Sequence, residues 1–417
     1  MRAGYWGKFV YFAQIDTKPS PMAPRMKVTR LFQAFFKSER SAGYVLIGTT
    51  ILSLLLANVL IGPAFPEFFH HKAGFANEFI SLNLSLEHWV NDGLMTIFFL
   101  LVGLEIEREV YIGELSSLRN ASLPLFAALG GMVIPFGIHF LFNAGLPTQG
   151  GGGIPMATDI AFALGILSLG KRVPYGLKVF LTAFAIIDDL GAILVIAFFY
   201  TKSLQMLYLL GAMAVWGLLF VCNRLKIYRV WVYLLLGVAM WYCMLQSGVH
   251  ATLAGVLLAF AMPFGNGDEQ SLSYRVQHWL HYPVAFVILP LFALTNTGII
   301  IPTTWFSDLQ NNNSLGIMLG LVAGKPLGIM IFCGAAVALG WSSLPTGVNW
   351  RYLLSAGILG GIGFTMSIFI TLLAFDDPNV VAQSKISILL ASVVASVLGL
   401  LVLQMAGKKD LALQGKP

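Results

Sequence analysis

The sequence predicts an all-α polytopic membrane protein of about twelve transmembrane helices, two of them interrupted, with a small external β-hairpin. Three observations carry this. Of the 417 residues, 57% belong to the apolar set and only 11% are charged, whereas a soluble surface needs roughly 25% charged residues. Apolar stretches of about 20 residues, each long enough to cross a bilayer, recur along the chain. The basic residues fall in short segments between those stretches, as orientation signals do, and not in the clustered patch that nucleic-acid binding requires.

The first 40 residues hold eight Lys or Arg, with Pro19, Pro21 and Pro24 among them. The apolar run that follows lacks a small-residue cleavage site and is too long for a signal peptide. Residues 1–40 therefore read as a cytoplasmic tail, 41–406 as the transmembrane domain and 407–417 as a second cytoplasmic tail. Met22 and Met26 are alternative starts on this reading. A basic amphipathic arm on the inner leaflet fits part of the same stretch.

The expected spans are 43–62, 88–106, 121–141, 154–170, 176–200, 205–222, 229–246, 250–264, 282–299, 315–334, 352–373 and 384–405. A cytoplasmic N-terminus places Arg108, Arg119, Lys171, Arg172, Lys178, Arg224, Lys226, Arg229, Arg275, Arg351, Lys408, Lys409 and Lys416 inside. It leaves only Lys72, Lys202 and Lys385 outside, and an even number of spans follows.

In the outer segment 64–87, Phe79, Ile80, Leu82, Leu84 and Leu86 alternate with Ser81, Asn83, Ser85 and Glu87. Period two suits strands, and the unpaired edge of a hairpin invites a partner chain; a ribbon lying on its own bundle is the alternative.

The fourth span approaches through GGGGIP and then holds Thr158 and Asp159; the eleventh carries Gly357, Gly360, Gly361 and Gly363, then Thr365 and Ser367. Such breaks free backbone groups that hydrocarbon does not tolerate unless protein or a water-filled cavity surrounds them. Broken helices at corresponding places in two halves of a chain point to a midplane site in an inverted-repeat transporter. Close helix packing at the glycines is the plainer account, and both can hold.

Four ionisable residues lie deep within spans: Asp159, Asp188, Asp189 and Lys325. Each costs at least about 2.5–3.5 kcal/mol at bilayer depth, so their presence implies a polar interior and a use. Asp188 and Asp189 are helix neighbours whose side chains diverge by about 100°. A hard monovalent cation such as Na⁺ or Li⁺ takes oxygen ligands, which Asp189, Asp159, Thr158 and Asp188 offer transiently. Carboxylates crowded in a low-dielectric site hold protons until a cation displaces them, so competition at one site, exposed alternately to each side, suffices for exchange. Lys325 is either a proton carrier or a counter-ion of Asp188 that ties the tenth span to the fifth.

At the inner end of span two, Glu105, Arg108 and Glu109 share a helical face while Glu107 points elsewhere. An interfacial ion-pair network and a cation-attracting, pH-responsive funnel both fit. His250 stands at the outer start of span eight, as a helix cap or a titrating group. His278 and His281 flank the expected inner loop beside Arg275. Cys222, Cys243 and Cys333 lack metal-ligand spacing and no HExxH occurs, so no cofactor is expected.

The runs NDGLMTIFFLLVGLEIERE (91–109), ATDIAFALGILSLG (157–170), FAIIDDLGAILVIAFFY (184–200), SGVHATLAG (247–255), LPLFALTNTG (289–298), GKPLG (324–328) and GILGGIGFTMSIFI (357–370) resemble the NhaA family of bacterial Na⁺/H⁺ antiporters. The resemblance extends from about residue 40 to 405. It implies that Asp189 is the main cation ligand, that Asp188 is the proton-linked partner of Lys325, and that Asp159 balances two unwound helices crossing at the midplane. It further implies that Glu105, Arg108 and Glu109 form a cytoplasmic funnel and that His250 belongs to the pH response. One sodium against two protons, an inner-membrane location and a homodimer joined through the hairpin follow from the same resemblance. Gln277, where a pH-sensing glutamate is usual, and Glu107, where a basic residue is usual, depart from the pattern.

The competing readings are a K⁺-preferring cation/proton antiporter and a pH-gated cation channel. A channel wants a ring of repeated coordinating groups around a pore, and this chain offers one asymmetric cluster. An intramembrane aspartyl protease also places acids in membrane helices, but gives Lys325 no role.

Overall fold

The structure, a computed structural model, describes residues 41–77, 81–170, 173–201 and 204–414. The N-terminal stretch with Met22 and Met26, the strand positions Phe79 and Ile80, and the basic residues Lys171, Arg172, Lys202 and Lys416 lie outside the described residues, as do the side chains of Lys408 and Lys409.

Nine continuous helices among the described residues are long and apolar enough to cross a membrane. They are α1 (Ser41–Leu60), α2 (Leu86–Tyr111), α3 (Arg119–Asn143), α5 (Tyr175–Phe199), α6 (Met206–Arg224), α7 (Val230–Ser247), α9 (Leu272–Asn296), α10 (Asn312–Ala338) and α13 (Pro378–Gly407). Two further spans are broken: a 3-10 stretch (Pro147–Met156) followed by α4 (Ile160–Leu167), and α11 (Trp350–Gly360) followed by α12 (Phe364–Ala374), each bent by 43°. The expected span 250–264 is instead a nine-residue helix, α8 (Leu253–Ala261). At 1.5 Å per residue it is too short to cross a bilayer of roughly 30 Å by itself.

Sequence explains most of the irregularities. Pro283 and Pro326 cannot donate to the preceding turn, and wide π-turns stand beside them at Val284–Ile288 in α9 and Gly320–Gly324 in α10. α7 stops at Gly248, whose φ of 82° suits a residue without Cβ. Asn311 and Asn349 cap α10 and α11 by accepting from backbone amides of the first turn. Outward-facing Phe198, Phe199, Leu207 and Leu235 are exposed, as a lipid-facing surface requires.

Small residues bring the helices around the centre close together. A Cβ on Gly130 of α3 would stand 2.2 Å from the Gly328 carbonyl oxygen of α10, and one on Gly255 of α8 would stand 2.2 Å from the Thr96 carbonyl of α2. Packing of this kind is how membrane helices associate where burial from lipid gives no net drive.

Three boundaries differ from those expected. The chain from Leu272 to Pro283 is helical, so Arg275, His278 and His281 lie on α9 and not in a loop. The last helix runs on to Gln414, past the expected span end at 405. In the hairpin, β1 (Lys72–Ala73) pairs with β2 (Leu84–Ser85), antiparallel with Lys72 opposite Ser85. Leu86 and Glu87 leave the strand pattern because the Ser85 hydroxyl accepts from the His88 amide and starts a helix. The hairpin rests on its own bundle: Trp89 Nε1 donates to the Ala73 carbonyl, and Tyr242 and Gln246 of α7 bond the backbone of Ser81.

Candidate functional site

The two breaks meet. The Asp159 amide donates to the Ile362 carbonyl at 2.7 Å, the Thr158 hydroxyl to the Gly360 carbonyl at 2.8 Å and the Ser367 hydroxyl to the Ile154 carbonyl at 2.7 Å. Each bond satisfies a carbonyl released by a break, so the irregular backbone is stable inside the bundle. Gly361 makes the approach possible: a Cβ there would lie 2.2 Å from the Leu321 carbonyl oxygen of α10.

Asp159 serves both broken spans. Its Oδ1 accepts from the Phe162 amide at the start of α4, and its Oδ2 accepts from the amide and hydroxyl of Thr365 at the start of α12. A carboxylate placed between two helix N-termini meets two sets of orphan amides and two positive dipole ends.

Asp188 and Asp189 project from the middle of α5, each 1% exposed. Being consecutive, they turn to different neighbours. Asp188 Oδ2 is 2.8 Å from Lys325 Nζ, with both side chains fully buried. The same ammonium donates to the Met156 carbonyl at the end of the 3-10 stretch and stands 5.8 Å from the centre of the Phe184 ring. Lys325 thus joins α10, α5 and the first break. Asp189 has Asp188, Asp159, Lys325 and Glu105 as its charged neighbours. One oxygen of Asp188 and one of Asp189 are buried without a hydrogen-bond donor.

The remaining sequence candidates lie away from this centre, at opposite ends of the bundle. Toward the end of α2, Arg108 pairs with Glu109 at 3.2 Å, and Glu109 Oε2 accepts from the Glu114 amide. Glu109 is therefore also a cap for the turn that follows α2. Gln277 of α9 lies beside Glu105, bringing distant segments together. Glu107 is buried with one oxygen unpartnered. At the hairpin end, His250 Nε2 lies 2.8 Å from the Tyr200 carbonyl, which closes α5; it caps that helix and not its own.

One contributor escapes sequence reasoning. The Met156 carbonyl bears no side-chain signal, and only proximity in the fold marks it; Gly361 stands out by the glycine spacing of the eleventh span. Among the described residues no group of three or more His, Cys, Asp or Glu is arranged to hold a resident metal ion, and the cysteines are free. A G-x-G-D run, the mark of intramembrane aspartyl proteases, occurs at residues 265–268, but Asp268 is exposed in a turn where it accepts from the Gln270 and Ser271 amides.

Comparison with known proteins accords with this architecture. Residues 33–403 match the sequence profile of the family described as Na⁺/H⁺ antiporter 1. The chain is 57% identical to the Na⁺/H⁺ antiporter NhaA of Cytophaga hutchinsonii, over 93% of this chain and 98% of that protein. It is 56% identical to the NhaA of Dechloromonas aromatica, over 92% and 98% of the two chains. It is 45% identical to NhaA 1 of Clostridium beijerinckii, over 89% and 94%. A buried acid pair, a buried lysine and two interlocked helix breaks thus sit in a multi-pass membrane protein that belongs to the NhaA family of Na⁺/H⁺ antiporters.

Proposed function

We propose that this chain is an electrogenic, pH-regulated antiporter that exports one Na⁺ or Li⁺ in exchange for two protons, by alternating access at a site shared by Asp188 and Asp189. The observation that carries the reading is the buried pair of adjacent carboxylates, each with an oxygen that no protein donor meets. Such oxygens can be satisfied by a proton or by a hard cation, which makes the two ions competitors. Family membership makes the chain a secondary transporter and not an enzyme.

Charge counting supports the stoichiometry. With Asp159 counted as an anion and Lys325 as a cation, protons on Asp188 and Asp189 make the site neutral. With both acids ionised and one Na⁺ bound at Asp189, completed by Asp159, Thr158 and Asp188 oxygens, the site carries one net negative charge. Two protons inward against one Na⁺ outward therefore moves charge, and the membrane potential drives it. Lys325 keeps Asp188 ionised while Na⁺ is bound, and release of that pair accompanies protonation.

The basic residues support cytoplasmic termini in a bacterial inner membrane. On that orientation the hairpin face is outward, and Glu105, Arg108 and Glu109 form the inward mouth, with His250 on the outer side as part of the pH response. α8 supplies the twelfth crossing together with the turns that flank it, and the two breaks cross at the midplane in an inverted-repeat arrangement. The exposed Phe75 and the short strands of the hairpin support a homodimer joined through 64–87. The segments 1–40 and 407–417 flank the transmembrane domain 41–406 on the cytoplasmic side.

The test is proton release from everted membrane vesicles, read by a ΔpH-sensitive dye on addition of NaCl, LiCl or KCl between about pH 6.5 and 8.5. Na⁺ and Li⁺ evoke release and Asp189→Asn abolishes it, with the protein still in the membrane. A response to K⁺ alone favours a potassium exchanger, and no response to any cation overturns the reading.

A further inference from the structure

At the hairpin end a cavity of about 740 Å³ opens between α2, α7, α9, α12 and α13, lined among others by Glu87, Asp92, Asn91, Asn296, His250 and Lys385. Its floor stops short of the acid pair. Along α12, Thr365 holds Asp159, Phe369 lies one turn further and Leu373 lines the cavity a turn beyond that. The Phe369 ring packs on Phe99 of α2 at 5.4 Å and on Phe292 of α9 at 6.4 Å, and all three rings are buried. The cavity is thus a vestibule separated from the site by an aromatic layer.

Lys385 is the unexplained member. It is only 8% exposed and it lines the vestibule. Its charged neighbour is Glu87, which in turn meets His70 at 3.3 Å. The position is held firmly: the two residues before it bond α10, Gln383 to Asn311 at 3.0 Å and Ser384 to Asn313 at 2.8 Å. An ammonium facing a chamber that also holds Asp92, Glu87 and Asp376 acts on whatever cation enters that chamber.

We propose that Lys385 is a resident cation of the outer vestibule, which opposes the binding of external Na⁺ or Li⁺ at Asp92 and Glu87 and so limits inhibition of export by the exported ion. It does not set the direction of exchange, which the gradients determine. It sets the external Na⁺ concentration at which exchange slows, because its positive charge lowers cation occupancy of the vestibule. The inference rests on the antiporter reading and on an outward hairpin face.

In everted vesicles the hairpin face is luminal. Vesicles are loaded with graded NaCl at one fixed pH, and the luminal concentration that halves the initial rate of exchange is read for wild type, Lys385→Met, Lys385→Arg and Glu87→Gln. Lys385→Met lowers that concentration by about threefold or more, as removal of a facing unit charge requires. Lys385→Arg stays near wild type, and Glu87→Gln raises it. The half-saturating Na⁺ concentration on the other side of the membrane stays unchanged, which a packing defect would not respect. A Lys385→Met value equal to wild type, or an equal shift in Lys385→Arg, overturns the proposal. Should Lys385→Met fail to reach the membrane, an unchanged value in Glu87→Gln overturns it. These outcomes all require exchange by the wild type, so they stand apart from failure of the antiporter reading itself.

Discussion

The two helix breaks bend by the same 43° but are built from different chemistry. In the first, Asp159 caps its own following helix, α4. In the second, Gly363 precedes α12 with no side-chain cap, and the Thr365 amide is satisfied by Asp159 from across the junction. The first break supplies the charge; each break donates to and accepts from the other, and glycine in the second leaves the space for the approach. One carboxylate then stabilises two helix starts, and both of its oxygens already accept hydrogen bonds. The acids of the unbroken α5 differ, since each keeps an oxygen without a donor. The contrast separates an aspartate that holds the site together from aspartates free to exchange ligands.

The largest effect tests the pair that joins the two regions. Lys325→Met leaves Asp188 buried without its cation, and loss of one partner from a buried pair costs about 3–5 kcal/mol. The double variant with Asp188→Asn recovers most of that loss in thermal unfolding in detergent; failure to recover would place the importance of Lys325 in its bond to Met156 instead.

A smaller effect separates the aspartates directly. Asp159→Ala removes the acceptor of three donors at two helix starts and lowers stability by about 2–3 kcal/mol, following the usual worth of caps and charge-assisted bonds. Asp189→Asn removes a buried charge with one oxygen that no donor meets, so its melting temperature equals or exceeds that of wild type while exchange is lost. If Asp189→Asn melts below Asp159→Ala, the division of labour drawn here is wrong.

The smallest expected change is at the end of α2 away from the hairpin. Glu109→Gln weakens a pair with a half-exposed Arg108 but keeps an acceptor for the Glu114 amide, so stability changes by less than about 1 kcal/mol. Its mark is instead a higher half-saturating Na⁺ concentration on the inward side, measured in the same vesicles, if the cluster attracts cations. An unchanged value would leave Glu109 as a cap alone.

Much of this was legible in the chain. Spans and breaks follow from hydropathy and glycine spacing, because bilayer depth forbids unsatisfied backbone and sets helix length. The functional candidates Asp159, Asp188, Asp189 and Lys325 stand out because charge at that depth is costly. The start of span eight was not legible: an apolar run from residue 250 reads as continuous helix, whereas the turn at residues 248–252 delays the helix to Leu253. The start of α9 was missed for the opposite reason, since Arg275, His278 and His281 are polar enough to look like a loop although their backbone is helical.

By itself the sequence determined that the chain crosses a membrane many times, where its helices must break, and which four ionisable groups had to find partners inside. These are consequences of transfer cost, which depends on residue type and order. Only the tertiary structure decided that Asp159 caps both broken spans, that Lys325 lies on Asp188 and the Met156 carbonyl, and that Lys385 faces a vestibule. Those pairings join residues up to about 200 positions apart in the chain. They arise where glycines let helices approach within hydrogen-bond range, a property of packed pairs that no single segment carries.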